Sequence, residues 1–131
     1  MEWLHRAGFP GAHKVEPTPG DDYDIWVPEA QRRLEVKFDV MSRVTGNFAI
    51  EVGHGVSKPT GISTSTADYF VYGDGEYAWF FKRGPLWEYC MKNGVLKWGG
   101  DGKRFMIWVV PREELEEALQ PRKIELKVGV L

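Results

Sequence analysis

Gly20-Asp21-Asp22-Tyr23-Asp24-Ile25-Trp26-Val27 and, after a short turn, Arg33-Leu34-Glu35-Val36-Lys37-Phe38-Asp39 decide how this chain reads. Side chains alternate along a strand, so Asp22 and Asp24 share a face, as do Glu35, Lys37 and Asp39, and the hairpin gathers them on one side. Tyr23, Ile25, Val27, Leu34, Val36 and Phe38 then form an apolar reverse side. With Pro28 opening a turn centred on Glu29-Ala30, the hairpin register sets Asp24 opposite Glu35 and Asp22 opposite Lys37. Directly opposed residues have Cβ atoms roughly 5 Å apart, and opposed like charges destabilise a sheet. An Asp24/Glu35 pair therefore wants a cation between its oxygens. Mg2+ suits it, being a hard ion that takes one or two carboxylates, waters and substrate phosphates.

The order Asp, about ten residues, then Glu-x-Lys resembles the PD-(D/E)XK nuclease superfamily, the restriction-endonuclease-like group that includes archaeal Holliday-junction resolvases and small phage nucleases. The resemblance rests on Asp24, Glu35 and Lys37. Gly8-Phe9 after a short amphipathic start, the Gly-Asp turn before the acidic strand, and Ala67-Asp68-Tyr69-Phe70-Val71-Tyr72 extend it over roughly residues 2 to 72. It implies an α/β (α+β) fold: an αβββαβ core with a mixed central sheet flanked by helices. Residues 73 to 131 add a C-terminal hairpin and helix to the same single domain.

The resemblance also implies a reaction, the metal-dependent hydrolysis of phosphodiester bonds in DNA by an endonuclease, structure-selective or of phage origin. Asp24, Glu35 and the carbonyl of Val36 would hold Mg2+, with Mn2+ as a substitute, and Lys37 would position the attacking water and offset charge on the phosphorane-like transition state. Asp22 is the alternate for Asp24. Glu2 is the counterpart of a glutamate that the family carries on its first helix, although Gly8 ends this helix early. Glu51 adds a ligand if it points inward and is ordinary strand surface if it points outward. Lys58 and Thr60 contact a phosphate or serve plain loop chemistry, and Arg33 and Arg43 are candidates for the nucleic-acid rim.

Composition bounds the alternatives. At 131 residues, 43% apolar and 14% aromatic, the chain can bury a core and is no disordered tail. Its longest apolar run, Phe105 to Val110, is far short of a membrane span. No apolar block of a signal peptide follows Met1, and a single Cys90 permits no internal disulfide, so a cytoplasmic location is expected, the host cytoplasm if phage-encoded. His5, His13 and His54 offer no zinc-type spacing.

A net charge of −2 speaks against a nucleic-acid partner. Distribution softens that, because Glu113, Glu114, Glu116, Glu117 and Glu125 lie near the C-terminus while Asp21, Asp22, Asp24 and Glu35 lie where cations would offset them. His13/Lys14, Arg32/Arg33, Arg43, Lys58, Lys82/Arg83 and Lys103/Arg104 remain as a phosphate-tracking rim or as solvated surface. The tryptophans and phenylalanines at 79 to 81, 87, 98 and 108 read mainly as core, with base stacking the minor reading. Two cuts in a duplex call for two sites, which makes a homodimer reasonable. A non-catalytic nucleic-acid-binding or assembly protein on the same fold would be expected to carry a damaged triad. An unrelated small-ligand module would leave the opposed acids unexplained.

Further elements follow from local signals. Asn47 to Val52 reads as a third strand joined to the second by a turn at Thr45-Gly46, and the polar loop Ser57 to Ala67 leads to a short helix capped by Ser63 or Thr64. Tyr69 to Tyr72 pairs with Glu76 to Lys82 across Gly73-Asp74-Gly75. A helix runs from Gly84-Pro85 to Asn93-Gly94. Val95 to Trp98 and Phe105 to Val110 form a hairpin around Gly99-Gly100-Asp101-Gly102. A helix from Glu113 to Leu119 ends at Pro121, and Ile124, Leu126 and Val128 alternate as a last strand.

Overall fold

The acidic hairpin forms in the expected register. The computed structural model describes residues 1–16, 18–55, 58–99, 102 and 104–126; Ser57, Gly100, Asp101, Lys103 and Val128, invoked above, lie outside them. Strand β2 (Ile25–Val27) runs antiparallel to β3 (Arg32–Phe38), with Ile25 facing Leu34, Trp26 facing Arg33 and Val27 facing Arg32. The turn closes when Gln31 N–H donates to the carbonyl of Pro28 at 3.2 Å.

From that hairpin a six-stranded sheet grows outward in the order β1-β2-β3-β6-β7-β10, with β1 at His13–Lys14, β6 at Tyr69–Gly73, β7 at Tyr77–Lys82 and β10 at Arg122–Glu125. The β3/β6 pair is parallel and the other neighbours are antiparallel, so the sheet is mixed. Strand β6 is buried along nearly its whole length, as a continuous apolar run in the middle of a covered sheet should be. The fold is thus a mixed α+β class with few helices.

A second sheet, order β5-β4-β9-β8, joins Lys58–Pro59, Asn47–His54, Phe105–Pro111 and Val95–Gly99. This corrects the third strand of the sequence reading: β4 does not extend the acidic hairpin but pairs with β9. The connection explains the change. Instead of a tight turn, the one-turn helix α2 (Ser42–Thr45) follows β3, and Gly46 at φ 73° carries the chain away from the first sheet. The helix expected before β6 is also absent. Gly61–Ser63 is a single 3-10 turn, and Ser63 Oγ donates to the Val52 carbonyl at 2.7 Å rather than capping a helix.

Sheet 1 is covered on both faces. On one side Phe48, Ile50 and Val110 of the second sheet, with Leu86 and Cys90 of α3 (Arg83–Asn93) and Leu115 of α4 (Arg112–Leu119), pack against Phe70, Tyr72, Trp79 and Phe81. On the other, Leu4 of α1 (Glu2–Arg6) packs with Ile25, Val27, Leu34, Val71 and Ala78. Arg112 ties the two sheets together. Its guanidinium lies 4.4 Å from the Trp79 ring centre and donates to Asp74 Oδ2 at 3.0 Å, while Asp74 Oδ1 accepts the N–H groups of Glu76 and Tyr77. Among the described residues no helix is long and apolar enough to cross a membrane.

Two apolar assignments change. Tyr23 packs with Phe70 and Tyr72, not with Ile25 and Val27, because β2 starts only at Ile25 and two-residue alternation does not extend back through Asp24. Phe38, at the end of β3, is 56% exposed.

Candidate active site on the acidic hairpin

Asp24 lies one residue before β2 and brackets β3 with two hydrogen bonds. Its N–H donates to the Leu34 carbonyl at 2.9 Å, and its Oδ2 accepts the Val36 N–H at 2.9 Å. The carboxylate thus takes the place of a strand partner where the β2/β3 ladder has stopped. A strand residue turns its N–H and C=O to the same side, so the Val36 carbonyl lies on the edge of β3 that Asp24 flanks.

Glu35, one residue back, projects from the opposite face to Leu34 and Val36 and is only 8% exposed. Its parallel neighbour on β6 is Phe70, and that of Lys37 is Tyr72, so carboxyl, ammonium and both rings share one face. Lys37 remains exposed. The 60s loop closes the site from above. Ser65 Oγ accepts the Ala67 N–H at 3.1 Å and lies 2.9 Å from the Asp22 carbonyl and 3.2 Å from Glu35 Oε2, with one proton to donate between them. Thr66 N–H also donates to the Asp22 carbonyl, at 2.9 Å.

Burial pushes the Glu35 carboxyl up to about 8, helped by a hydrogen bond to Asp24 and by the charges of Asp24 and Asp22, with Lys37 opposing. At neutral pH Glu35 therefore keeps its proton, with the Asp24 carboxyl as its hydrogen-bond partner. Tyr72 beside them is pushed far up, chiefly by burial and further by Cys90, Glu35 and Glu51.

The other sequence candidates separate. Asp22 is held near the pair through its backbone, but it does not face Lys37 across a ladder, because β2 begins three residues later. Glu51 comes from the second sheet and, with Lys37 and Asp39, lines a cleft of about 400 Å³ whose lining does not include Asp24 or Glu35. Glu2 is displaced. It pairs with Arg6 on α1, whose Leu4 packs on the opposite face of sheet 1 from Glu35.

Among the nucleic-acid candidates, Arg33 is held bidentately by Asp68, at 3.3 and 3.2 Å. Burial would raise Asp68, but these bonds outweigh it and hold that carboxyl low. Arg43 pairs with Glu76. Lys58 lies on the short strand β5 and lines a different groove. Thr60 donates its N–H to Val52 and buries its hydroxyl without a partner, so it presents no hydroxyl to a phosphate.

Ser65 is the residue that sequence reasoning missed. It sits in a polar loop among other hydroxyls, and only its long-range contact with Glu35 sets it apart. Among the described residues no group of three or more His, Cys, Asp and Glu side chains converges as a metal cage. The donor set is two carboxylates and a strand carbonyl, which suits an ion that keeps most of its waters. Compared with protein-family models, curated proteins and solved structures, the chain matches none of them.

Proposed function

We propose that this chain is a Mg2+-dependent endonuclease, with Mn2+ as a substitute, that hydrolyses phosphodiester bonds in DNA on a PD-(D/E)XK-like hairpin. The observation that supports this reading best is the buried Glu35 carboxyl set beside Asp24, with Lys37 exposed on the same face at the edge of a cleft. Asp24, Glu35 and the Val36 carbonyl would hold the cation. A bound divalent ion supplies Lewis-acid activation of phosphate and water. Asp24 is oriented by the Val36 N–H, and Ser65 steadies Glu35. Lys37 orients the attacking water and offsets the negative charge that grows on the phosphorus oxygens.

The experiment is cleavage of supercoiled, linear, single-stranded and four-way-junction DNA with Mg2+, Mn2+ or EDTA, by the parent and by Lys37→Ala. The expected result is metal-dependent nicking that EDTA abolishes. Lys37→Ala should retain the melting temperature and lose at least about 100-fold in rate, the scale of a positioned proton-transfer or charge-stabilising group. Cleavage by Lys37→Ala at the parent rate, or equal cleavage in EDTA, refutes the assignment.

A further inference from the structure

On the reverse face of sheet 1, away from Glu35, the hairpin and α1 enclose a cavity of about 290 Å³. Leu4, Val27 and Leu34, all buried, form its apolar floor, and Phe80 of β7 forms one side. Its rim carries two arginines. Arg32 is the first residue of β3, and its guanidinium donates to the carbonyls of Ala30 and Gln31, at 3.4 and 3.2 Å. Arg122 is the first residue of β10, pairs with Phe80 in the ladder and sits 5.4 Å from the Phe9 ring centre.

These arginines differ from four of the other six; among the described residues Arg83 and Arg104 also form no carboxylate pair. Arg6, Arg33, Arg43 and Arg112 are each bonded to a carboxylate, whereas among the described residues Arg32 and Arg122 form no such pair. Asp68 feels the charge of Arg32 but is already bridged by Arg33. Among the described residues no acidic side chain lines the cavity. An adjoining hollow that shares Tyr69, Phe80 and Arg122 adds Lys82 and, among the described residues, again no acid. In a chain with more acidic than basic residues, this concentrates positive charge at the mouth of an apolar cavity.

We propose that this cavity binds a small amphipathic carboxylate, with an apolar chain or ring against Leu4, Val27 and Leu34 and an anionic head on Arg32 and Arg122. The volume lies at the lower end for ligand sites, and apolar walls with a few converging polar groups are what such sites present. A planar guanidinium matches a carboxylate through paired N–H donors. Arg122, stacked on Phe9 and anchored at the start of β10, loses little freedom on binding. The site is separate from the acidic hairpin's metal-binding face and stands whether or not the chain is a nuclease.

The test is a titration of the full chain at pH 7 with octanoate, octan-1-ol and octylammonium, read by calorimetry and by methyl shifts of Leu4, Val27 and Leu34. Octanoate should bind at least about tenfold more tightly than octylammonium, the ratio expected of charge-assisted hydrogen bonds to the head group. Arg32→Gln/Arg122→Gln should remove that preference and leave octan-1-ol binding as it was. Ala30→Trp, at an exposed lining position, should block all three. Equal binding of the three head groups, no octanoate binding at millimolar concentration, or an undiminished octanoate preference in the double variant overturns the proposal. Should the double variant fail to fold in a melting scan, the head-group order on the parent protein decides the matter.

Discussion

Replacing Glu35 with Gln isolates the proton that the acidic pair holds. The Glu35 carboxyl rises from an ordinary 4.5 to about 8, first through burial and then through Asp24. Because the folded-state value is the higher one, the folded protein holds this proton where the unfolded chain has lost it. The stability contribution is therefore complete below pH 4.5, falls as pH rises from 4.5 to 8, and is gone above 8. At about 1.36 kcal/mol per unit, the shift corresponds to a loss of up to roughly 5 kcal/mol over that window, an upper bound because the fold can relax around an ionised Glu35.

Gln keeps the shape and the donor of the protonated acid and cannot ionise. Glu35→Gln should thus match the parent near pH 5 and exceed it by a few kcal/mol at pH 9. Urea unfolding followed by fluorescence, with both proteins measured at pH 5, 6, 7, 8 and 9, reads the difference directly. A cation that replaces the proton should restore the parent at pH 8 to 9 and leave Glu35→Gln unchanged, since metal binding releases protons from its ligands. Parallel stability curves for the two proteins without metal would refute the reasoning, because Glu35 would then titrate as an exposed carboxyl does.

Other expectations come from neighbouring contacts. Asp24→Asn can still accept the Val36 N–H and removes one charge, so without metal it should gain about 0.2 to 1 kcal/mol at pH 9, where the pair would otherwise repel. It should also lose most of the metal-induced shift in melting temperature that the parent shows. Asp74→Ala leaves the half-buried Arg112 guanidinium without its carboxylate, and urea unfolding at pH 7 should show a loss of up to about 3 to 5 kcal/mol. Burial would raise Asp74, but backbone N–H groups and Arg112 hold it low, so its stabilising contribution is present above the unfolded carboxyl range and disappears as pH falls below it. Acid titration of the parent should show that loss and Asp74→Ala should not. Burial pushes the Cys90 thiol up to about 12, so iodoacetamide at pH 8 should label the folded protein far more slowly than the urea-unfolded chain.

Local chemistry made much of this fold legible. Pro28 and the alternation on either side of Glu29-Ala30 place the hairpin in its register, because turn length and a two-residue period leave few other pairings. The β6/β7 hairpin across Gly73-Asp74-Gly75, the β8/β9 hairpin, α3 and α4 follow from equally short-range signals. So does the meeting of Asp24 with Glu35, two elements joined by one turn. Partners distant in sequence were not legible. Phe48 and Ile50 identify β4 as a strand with one apolar face, yet that face would suit either sheet, and its pairing with β9 depends on a segment more than fifty residues away.

By itself, then, the sequence determined which residues alternate, where the chain turns, and that two carboxylates and a lysine project from one hairpin. Only the tertiary structure decided what those groups experience. Arg33, Glu35 and Lys37 share a face of β3 by alternation alone, yet Asp68 neutralises the first, the 60s loop and the neighbouring aromatic core bury the second, and the third reaches solvent. Alternation specifies a direction for each side chain, whereas dielectric environment and charge partners come from whatever packs there. That is why the role of Ser65 and the raised Glu35 carboxyl emerge only once the loop has closed over the sheet.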